Sequence, residues 1–285
     1  VPCGHPGEQI TSIERELGRA IGMDEVKDRF VRAFSDRFAY ATVSRTEHKS
    51  SRHPPWLCLK AANPDAVGGM EEKLRGWNLG TVCQSAHCPN LGECFSRGTA
   101  TFMILGTVCT RRCRFCAVDK GTPGPPDPGE PERVAQATKA MGLAYVVVTS
   151  VTRDDLPDGG AGHFAKTIQC IREHCPEAKV EVLVPDFEGS EAALRTVCDA
   201  QPDVFNHNVE TVPRLYEKVR PQGDYRRSLD VLAKAAKSGI PTKSGLMLGL
   251  GETSREIWET LKDLRRADCA YLTLGQYLAP SAEHV

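Results

Sequence analysis

Three cysteines, Cys109, Cys113 and Cys116, fall within the stretch GTVCTRRCRFCAVDKG at residues 106 to 121. Their C-x3-C-x2-C spacing gathers three thiolates around one point, whereas the common metals and clusters that cysteines hold take four ligands. A zinc ion would need a further Cys or His at a short, regular spacing, and none follows Cys116 within thirty residues. A [4Fe-4S] cluster held by the same three thiolates keeps one iron open for a small molecule. Arg111, Arg112 and Arg114 interleave the ligands. Their charge is expected to favour the thiolates and partly offset a cluster whose net charge is about −1. A structural zinc loop is the alternative reading.

A second triplet, Cys83, Cys88 and Cys94, occupies CQSAHCPNLGEC in a C-x4-C-x5-C spacing. Disulfide and zinc readings stay open for it, and His87 inside it reads as a loop hydrogen-bonding group rather than a ligand. The remaining six of the twelve cysteines (Cys3, Cys58, Cys170, Cys175, Cys198 and Cys269) are scattered, and most read as small buried hydrophobes. Twelve cysteines would suit a small secreted disulfide scaffold. Two tight triplets in a long chain of α/β pattern instead read as metal ligands.

The elements that must position the first triplet are regular. Six strand-length apolar or β-branched runs occur at 101 to 107, 144 to 151, 179 to 186, 203 to 210, 242 to 251 and 270 to 277. Between them lie apolar residues three or four apart, as on a helix face: Val134, Ala137 and Met141; Phe164, Ile168 and Ile171; Leu229, Leu232 and Ala236; Ile257, Leu261 and Leu264. Six β-then-α units imply parallel strands with right-handed crossovers, hence a barrel, a partial barrel or an open doubly wound sheet. Chemistry in such folds gathers at the C-terminal strand ends, and the triplet follows the first strand directly. Upstream, residues 1 to about 47 hold a helical segment with Val26, Phe30, Ala33 and Phe34 at helical spacing, followed by a Ser, Pro and Gly-rich linker.

Bulk properties narrow the function classes. The 285 residues, 40% of them hydrophobic, supply one large domain or two smaller ones with an ample core. A formal net charge of −1 gives no support to a nucleic-acid partner. No run of eighteen apolar residues and no signal-like start is present, so no membrane association is expected and a cytoplasmic protein is the default. The first residue, Val1, points to a fragment or a processed chain.

The residues carry a resemblance. C-x3-C-x-F-C, with Phe115 before Cys116 and the loop after the first strand of a β/α series, resembles the signature of radical S-adenosylmethionine enzymes. The resemblance implies a partial (β/α)6 barrel over residues 101 to 285, with a cysteine-bearing N-terminal extension. It also implies S-adenosylmethionine on the open iron, which fills the fourth place. The second triplet, with TSVTRDDLPDGGA, FNHNVET, RSLDVL, SGLMLGLGE and LTLGQYL over about residues 71 to 281, resembles the lipoyl synthase family. That family inserts two sulfur atoms at C6 and C8 of an octanoyl chain on a lysine of a lipoyl carrier domain or glycine cleavage H protein. Those carbons are unactivated, and no side-chain acid, base or nucleophile attacks them at neutral pH. In the family, an electron from a reducing donor passes through the first cluster and cleaves S-adenosylmethionine to a 5′-deoxyadenosyl radical. A sulfide of the auxiliary cluster then captures the carbon radical, and two cofactor molecules are consumed per lipoyl group. The resemblance thus implies two [4Fe-4S] clusters, on Cys109, Cys113 and Cys116 and on Cys83, Cys88 and Cys94. By resemblance and by position at strand ends, Thr149, Arg153, Asp154, Asn206, Asn208 and Glu210 are expected to contact S-adenosylmethionine. For Asp154 and Asp155 a solvated loop or helix cap is the alternative. The glycines of SGLMLGLGE would let backbone approach the adenine, or mark a bulge.

Two departures stand out. The family's auxiliary cluster takes a serine of an R-S-S-Y motif as its fourth ligand, and this sequence has no such motif. Ser281 does not match its surroundings, so weak or absent sulfur insertion is expected. Residues 1 to about 46 resemble instead the C-terminal tail of lipoate-pathway octanoyltransferases, with Cys3 in the place of the acyl-carrying cysteine. Without the lysine partner of that family, Cys3 is expected to be inert as an acyl carrier. The expected divisions are therefore 1–47, 48–100 and 101–285. Competing functions are a two-cluster electron carrier, a methylthiotransferase and a structural zinc protein.

Overall fold

The computed structural model describes residues 24, 25, 28, 29, 32, 68, 69, 72, 74–82 and 101–285. Cys3, Cys58, His87, the second triplet Cys83, Cys88 and Cys94, and most of the linker lie outside the described residues. The chain divides into two units, Val1–Cys58 and Leu59–Val285. In the first unit, residues 24, 25, 28, 29 and 32 are helical. There Arg29 Nη2 lies 3.0 Å from Glu25 Oε1, an i,i+4 pair. The helical positions Val26, Phe30, Ala33 and Phe34 fall outside the described residues.

The second unit holds a seven-stranded sheet. In chain order its strands and flanking elements are β1 (Gly80–Thr81), β2 (Thr101–Ile104), β3 (Val108–Cys109), β4 (Asp119–Lys120), α1 (Glu130–Ala140), β5 (Tyr145–Ser150), α2 (Ala161–His174), β6 (Lys179–Leu183), α3 (Glu191–Asp199), β7 (Val204–Asn206), α4 (Tyr216–Val219), α5 (Tyr225–Lys237), β8 (Thr242–Leu248), α6 (Ser254–Arg266) and β9 (Tyr271–Gln276). The strand order is β1-β2-β5-β6-β7-β8-β9. β2 through β9 pair in parallel within this sheet, and β1 joins β2 antiparallel. All six expected strands are present as successive parallel neighbours, the arrangement of a (β/α)6 sheet.

The sequence explains the elements. Val146, Val148, Val180 and Val182 alternate along β5 and β6 and are fully buried with Phe102, Phe164, Ile168 and Ile171 under α1 and α2. The intervening strand residues turn to the other face, because side chains alternate along a strand. α6 starts at a capping box: Thr253 Oγ1 accepts from Glu256 N, and Glu256 Oε2 accepts from Thr253 N. α5 starts where Asp224 Oδ1 accepts from Arg227 N at 2.6 Å.

Three features differ from expectation. α3 lies between β6 and β7, a helix that the spacing of apolar residues does not predict. The run read as strand to residue 210 leaves the sheet after Asn206, and Glu210, at φ 66°, returns as an isolated bridge to Leu246. The cysteine loop is not bare loop either. β3 and β4 form their own two-stranded parallel sheet, Val108 opposite Asp119 and Cys109 opposite Lys120.

Candidate functional site

The C-terminal ends of β5, β6 and β7, the turn after β7 and the cysteine loop enclose a cavity of about 270 Å³. Cys109, Cys113 and Cys116 all line it and none is in a disulfide. Among the described residues no three His, Cys, Asp or Glu side chains are placed to hold a single metal ion. A cluster, wider than one ion, is what three thiols around a cavity can embrace.

The loop is held from several sides. Gly121 N donates to Cys109 O at 3.0 Å, closing its base beside the β3–β4 ladder. Thr110 N donates to Thr152 O at 3.1 Å, and Thr152 N donates to Cys109 Sγ at 3.3 Å, so the turn after β5 grips the first cysteine. Arg111 N donates to the same sulfur at 3.4 Å. Burial pushes the Cys113 thiol up to about 11, with Arg220 pulling the other way, and burial raises Cys116 as well. Deprotonating such thiols therefore requires a cation at the sulfurs, as a cluster iron would provide.

Arg111 is 3% exposed and makes a two-carboxylate knot. Its Nε lies 2.7 Å from Asp154 Oδ2, and its Nη2 lies 2.9 Å from Asp154 Oδ1 and 2.7 Å from Asp186 Oδ1. Burial alone would lower the guanidinium, but Asp154 and Asp186 outweigh it and hold it well above its ordinary value. Burial would raise fully buried Asp186, yet Arg111 brings it down to about 2. The expected set of three cations beside the ligands is thereby revised. Arg112 and Arg114 are exposed, and the charge of Arg111 is already met. Two other cations line the cavity near the thiols: Lys120, whose charge pulls Cys116 down, and Arg220, 8% exposed, whose Nη1 donates to Asn208 O at 3.0 Å. Burial works against the charge of Arg220, and Tyr216, Glu210 and Cys113 more than restore it. Glu210 itself lines the cavity half-buried, and desolvation raises its carboxyl despite Arg220 and a hydrogen bond from Asn208.

Of the residues singled out in the sequence, Phe115, Thr149, Asn208 and Glu210 line the cavity beside the three thiols. Arg153, Asp154 and Asn206 do not. Arg153, 2% exposed, donates to Leu105 O at 3.2 Å, to Gly124 O at 2.9 Å and to both oxygens of Asp155. It thus pins the segments that enter and leave the cysteine loop, and Glu130 Oε2 holds Leu105 N from the other side at 2.7 Å. Asp154 is the partner of Arg111, not a free loop carboxylate. Asn206 donates to Glu181 Oε1 at 2.8 Å, in a network with Lys243 Nζ and the Tyr145 hydroxyl. Ser281 Oγ lies 2.8 Å from His284 Nδ1.

Sequence reasoning did not single out Arg220 or His207, although His207 sits in the quoted FNHNVET. His207 is 1% exposed and lines the cavity. Its Nδ1 lies 2.8 Å from Val184 O. Burial and the nearby Arg220 bring His207 down to about 4, so the ring is neutral at physiological pH.

Three residues of the cavity wall each carry a buried polar atom with no partner among the described residues: Arg111 Nη1, Ser150 Oγ and His207 Nε2. Buried polar atoms are costly to leave unpaired, so such a trio fits a wall built around a polar ligand. Three free thiols and this trio suit an iron–sulfur cluster carrying a polar small molecule.

The Radical SAM superfamily model matches residues 103–264, more than half of the chain. The chain belongs to the lipoyl synthase family of radical S-adenosylmethionine enzymes. Lipoyl synthase of Caldanaerobacter subterraneus subsp. tengcongensis is 60% identical over 236 residues, which cover 82% of this chain and 82% of that protein. Lipoyl synthase of Methylococcus capsulatus is 56% identical over 237 residues, covering 82% and 74%. That of Syntrophotalea carbinolica is 54% identical over 254 residues, covering 88% and 82%. Among solved structures, methylornithine synthase superposes with a TM-score of 0.51 at 15% identity, covering 77% of this chain and 68% of that one. A likeness at that identity speaks for the fold alone, and it agrees with the parallel β/α sheet. As a radical sulfurtransferase of this family, the chain uses [4Fe-4S] clusters and S-adenosylmethionine. No helix among the described residues is long and apolar enough to cross a membrane.

Proposed function

We propose that this lipoyl synthase family member inserts two sulfur atoms at C6 and C8 of an octanoyl group on a carrier-domain lysine, and that Cys109, Cys113 and Cys116 hold its radical-generating cluster. The observation that carries the reading is the placement of three free thiols on one cavity at the strand ends, beside partnerless polar atoms. When bound, the cluster and S-adenosylmethionine supply the radical chemistry that unactivated carbons require.

The chain's own residues bind, orient and exclude. Thr152 N and Arg111 N orient Cys109. Arg220, Asn208 and Glu210 offer one cation, one amide and one carboxyl to the polar parts of the cofactor. Met103, Phe115, Val118, Leu183, Val184 and Pro185 form the apolar part of the wall, keeping water and other hydrogen donors from a reactive centre. Cys83, Cys88 and Cys94 are assigned to the second cluster on their spacing and family. The partners in this reading are an octanoylated lipoyl carrier domain or glycine cleavage H protein and a reducing electron donor, in the cytoplasm.

The deciding experiment is anaerobic reconstitution with iron and sulfide, followed by dithionite and S-adenosylmethionine in the presence of an octanoyl-lysine carrier peptide. Release of 5′-deoxyadenosine is the expected result, and the two-sulfur mass gain on the peptide reads how far insertion proceeds in a sequence without the R-S-S-Y motif. No cleavage of S-adenosylmethionine by iron-loaded protein overturns it.

A further inference from the structure

His207, on the cavity wall, presents one ring nitrogen to a carbonyl and keeps the other buried without a partner among the described residues. A backbone carbonyl only accepts, so the 2.8 Å contact between Nδ1 and Val184 O requires Nδ1 to carry the proton. In the neutral ring Nε2 then has a lone pair and no hydrogen. That atom is buried, has no partner among the described residues and belongs to a residue on the cavity wall. The other two partnerless atoms there differ in kind. Arg111 Nη1 can only donate, and the Ser150 hydroxyl can rotate to do either. Of the three, His207 Nε2 alone is an obligate acceptor.

We propose that His207 is a positioning residue whose Nε2 accepts a hydrogen bond from an N–H or O–H of bound S-adenosylmethionine. The proposal rests on the radical S-adenosylmethionine reading above. The Val184 carbonyl sets the tautomer, and β7 with the turn after β6 sets the ring's direction, so the acceptor is fixed before the ligand arrives. An acceptor at this place discriminates between cofactor halves. The ammonium lies on the methionine half, whereas the hydroxyls and the adenine amine lie on the nucleoside half.

The test uses anaerobically reconstituted protein carrying 15N-labelled histidine, with the cluster kept oxidised. Binding of S-adenosylmethionine to the unaltered protein is measured first, and its failure would count against the family reading rather than against this inference. Once binding is established, the Nε2 resonance is expected to move from the position of a free lone pair toward that of a hydrogen-bonded one, with Nδ1 unchanged. Methionine alone and 5′-deoxyadenosine alone are the further arms, and whichever moves Nε2 carries the donor. A bound cofactor that leaves Nε2 in place in every arm overturns the proposal. His207→Phe, which keeps a ring but removes the acceptor, is expected to weaken S-adenosylmethionine binding about tenfold or more, and His207→Gln to recover most of it. Equal loss in both variants, at unchanged iron content, would also sink it.

Discussion

Arg111 Nη2 stands 2.7 Å from Asp186 Oδ1, tying a residue between two clustered cysteines to the turn after β6. The same guanidinium takes both oxygens of Asp154 after β5. One side chain thereby registers the cysteine loop against two separate strand ends. Breaking one partner of a buried pair strands the other charge, which costs about 3–5 kcal/mol. Arg111→Met is therefore expected to lower the denaturation midpoint and to reduce iron retained at the loop, read by metal analysis after desalting.

Acid should weaken the fold in two stages. His207 has an ordinary value of 6.5 and is brought down to about 4 in the folded state. The unfolded chain binds the extra proton between those values, so stability present above pH 6.5 is lost as pH falls toward 4. Asp186, ordinarily at 3.8 and held at about 2, contributes stability that is complete above 3.8 and lost as pH falls through 2. Urea midpoints measured from pH 8 to pH 2 should show both stages, and His207→Gln should remove the upper one.

Substituting any one of Cys109, Cys113 and Cys116 by Ala is expected to abolish cleavage of S-adenosylmethionine, read as release of 5′-deoxyadenosine. Cys109 and Cys116 meet the packed core only as partly buried side chains, so the far-ultraviolet circular dichroism should not change.

Replacing Cys83, Cys88 and Cys94 together by Ala should separate the two clusters. Iron should fall from about eight to about four per chain. Cleavage of S-adenosylmethionine should continue while sulfur transfer to the peptide stops. Retention of about eight irons by the triple variant would refute the assignment of that triplet.

Gly245 lies against Asn208. A Cβ there would come within 2.7 Å of Asn208 Oδ1 and 2.9 Å of its Cγ. Gly245→Ala must therefore push the Asn208 side chain from its place on the cavity wall. Titration with S-adenosylmethionine is expected to show binding weakened by roughly tenfold, the scale of one displaced hydrogen-bonding group.

The strands were legible because β5, β6 and β8 are dense in valine, leucine and threonine, which suit a pleated, buried surface. α3 was not, since its buried face consists of Ala193, Leu194, Val197 and Cys198, of which only two are large and apolar. The β3–β4 pair was invisible for a simpler reason, because two residues per strand make no periodicity. At the site, the thiols announced themselves by spacing. Arg153 and Asp154 stood in a conspicuous polar stretch, yet their partners, Leu105, Gly124 and Arg111, lie 29 to 48 residues away in sequence. His207 resembled one more polar residue at a strand's end, and only the carbonyl beyond its Nδ1 shows which nitrogen carries the proton.

The short ladder of Val108 with Asp119 and Cys109 with Lys120 has a bearing on maturation. It joins the two ends of the cysteine loop through backbone groups alone, so replacing one thiol should leave the other two on an unchanged base and allow part of the iron to be taken up.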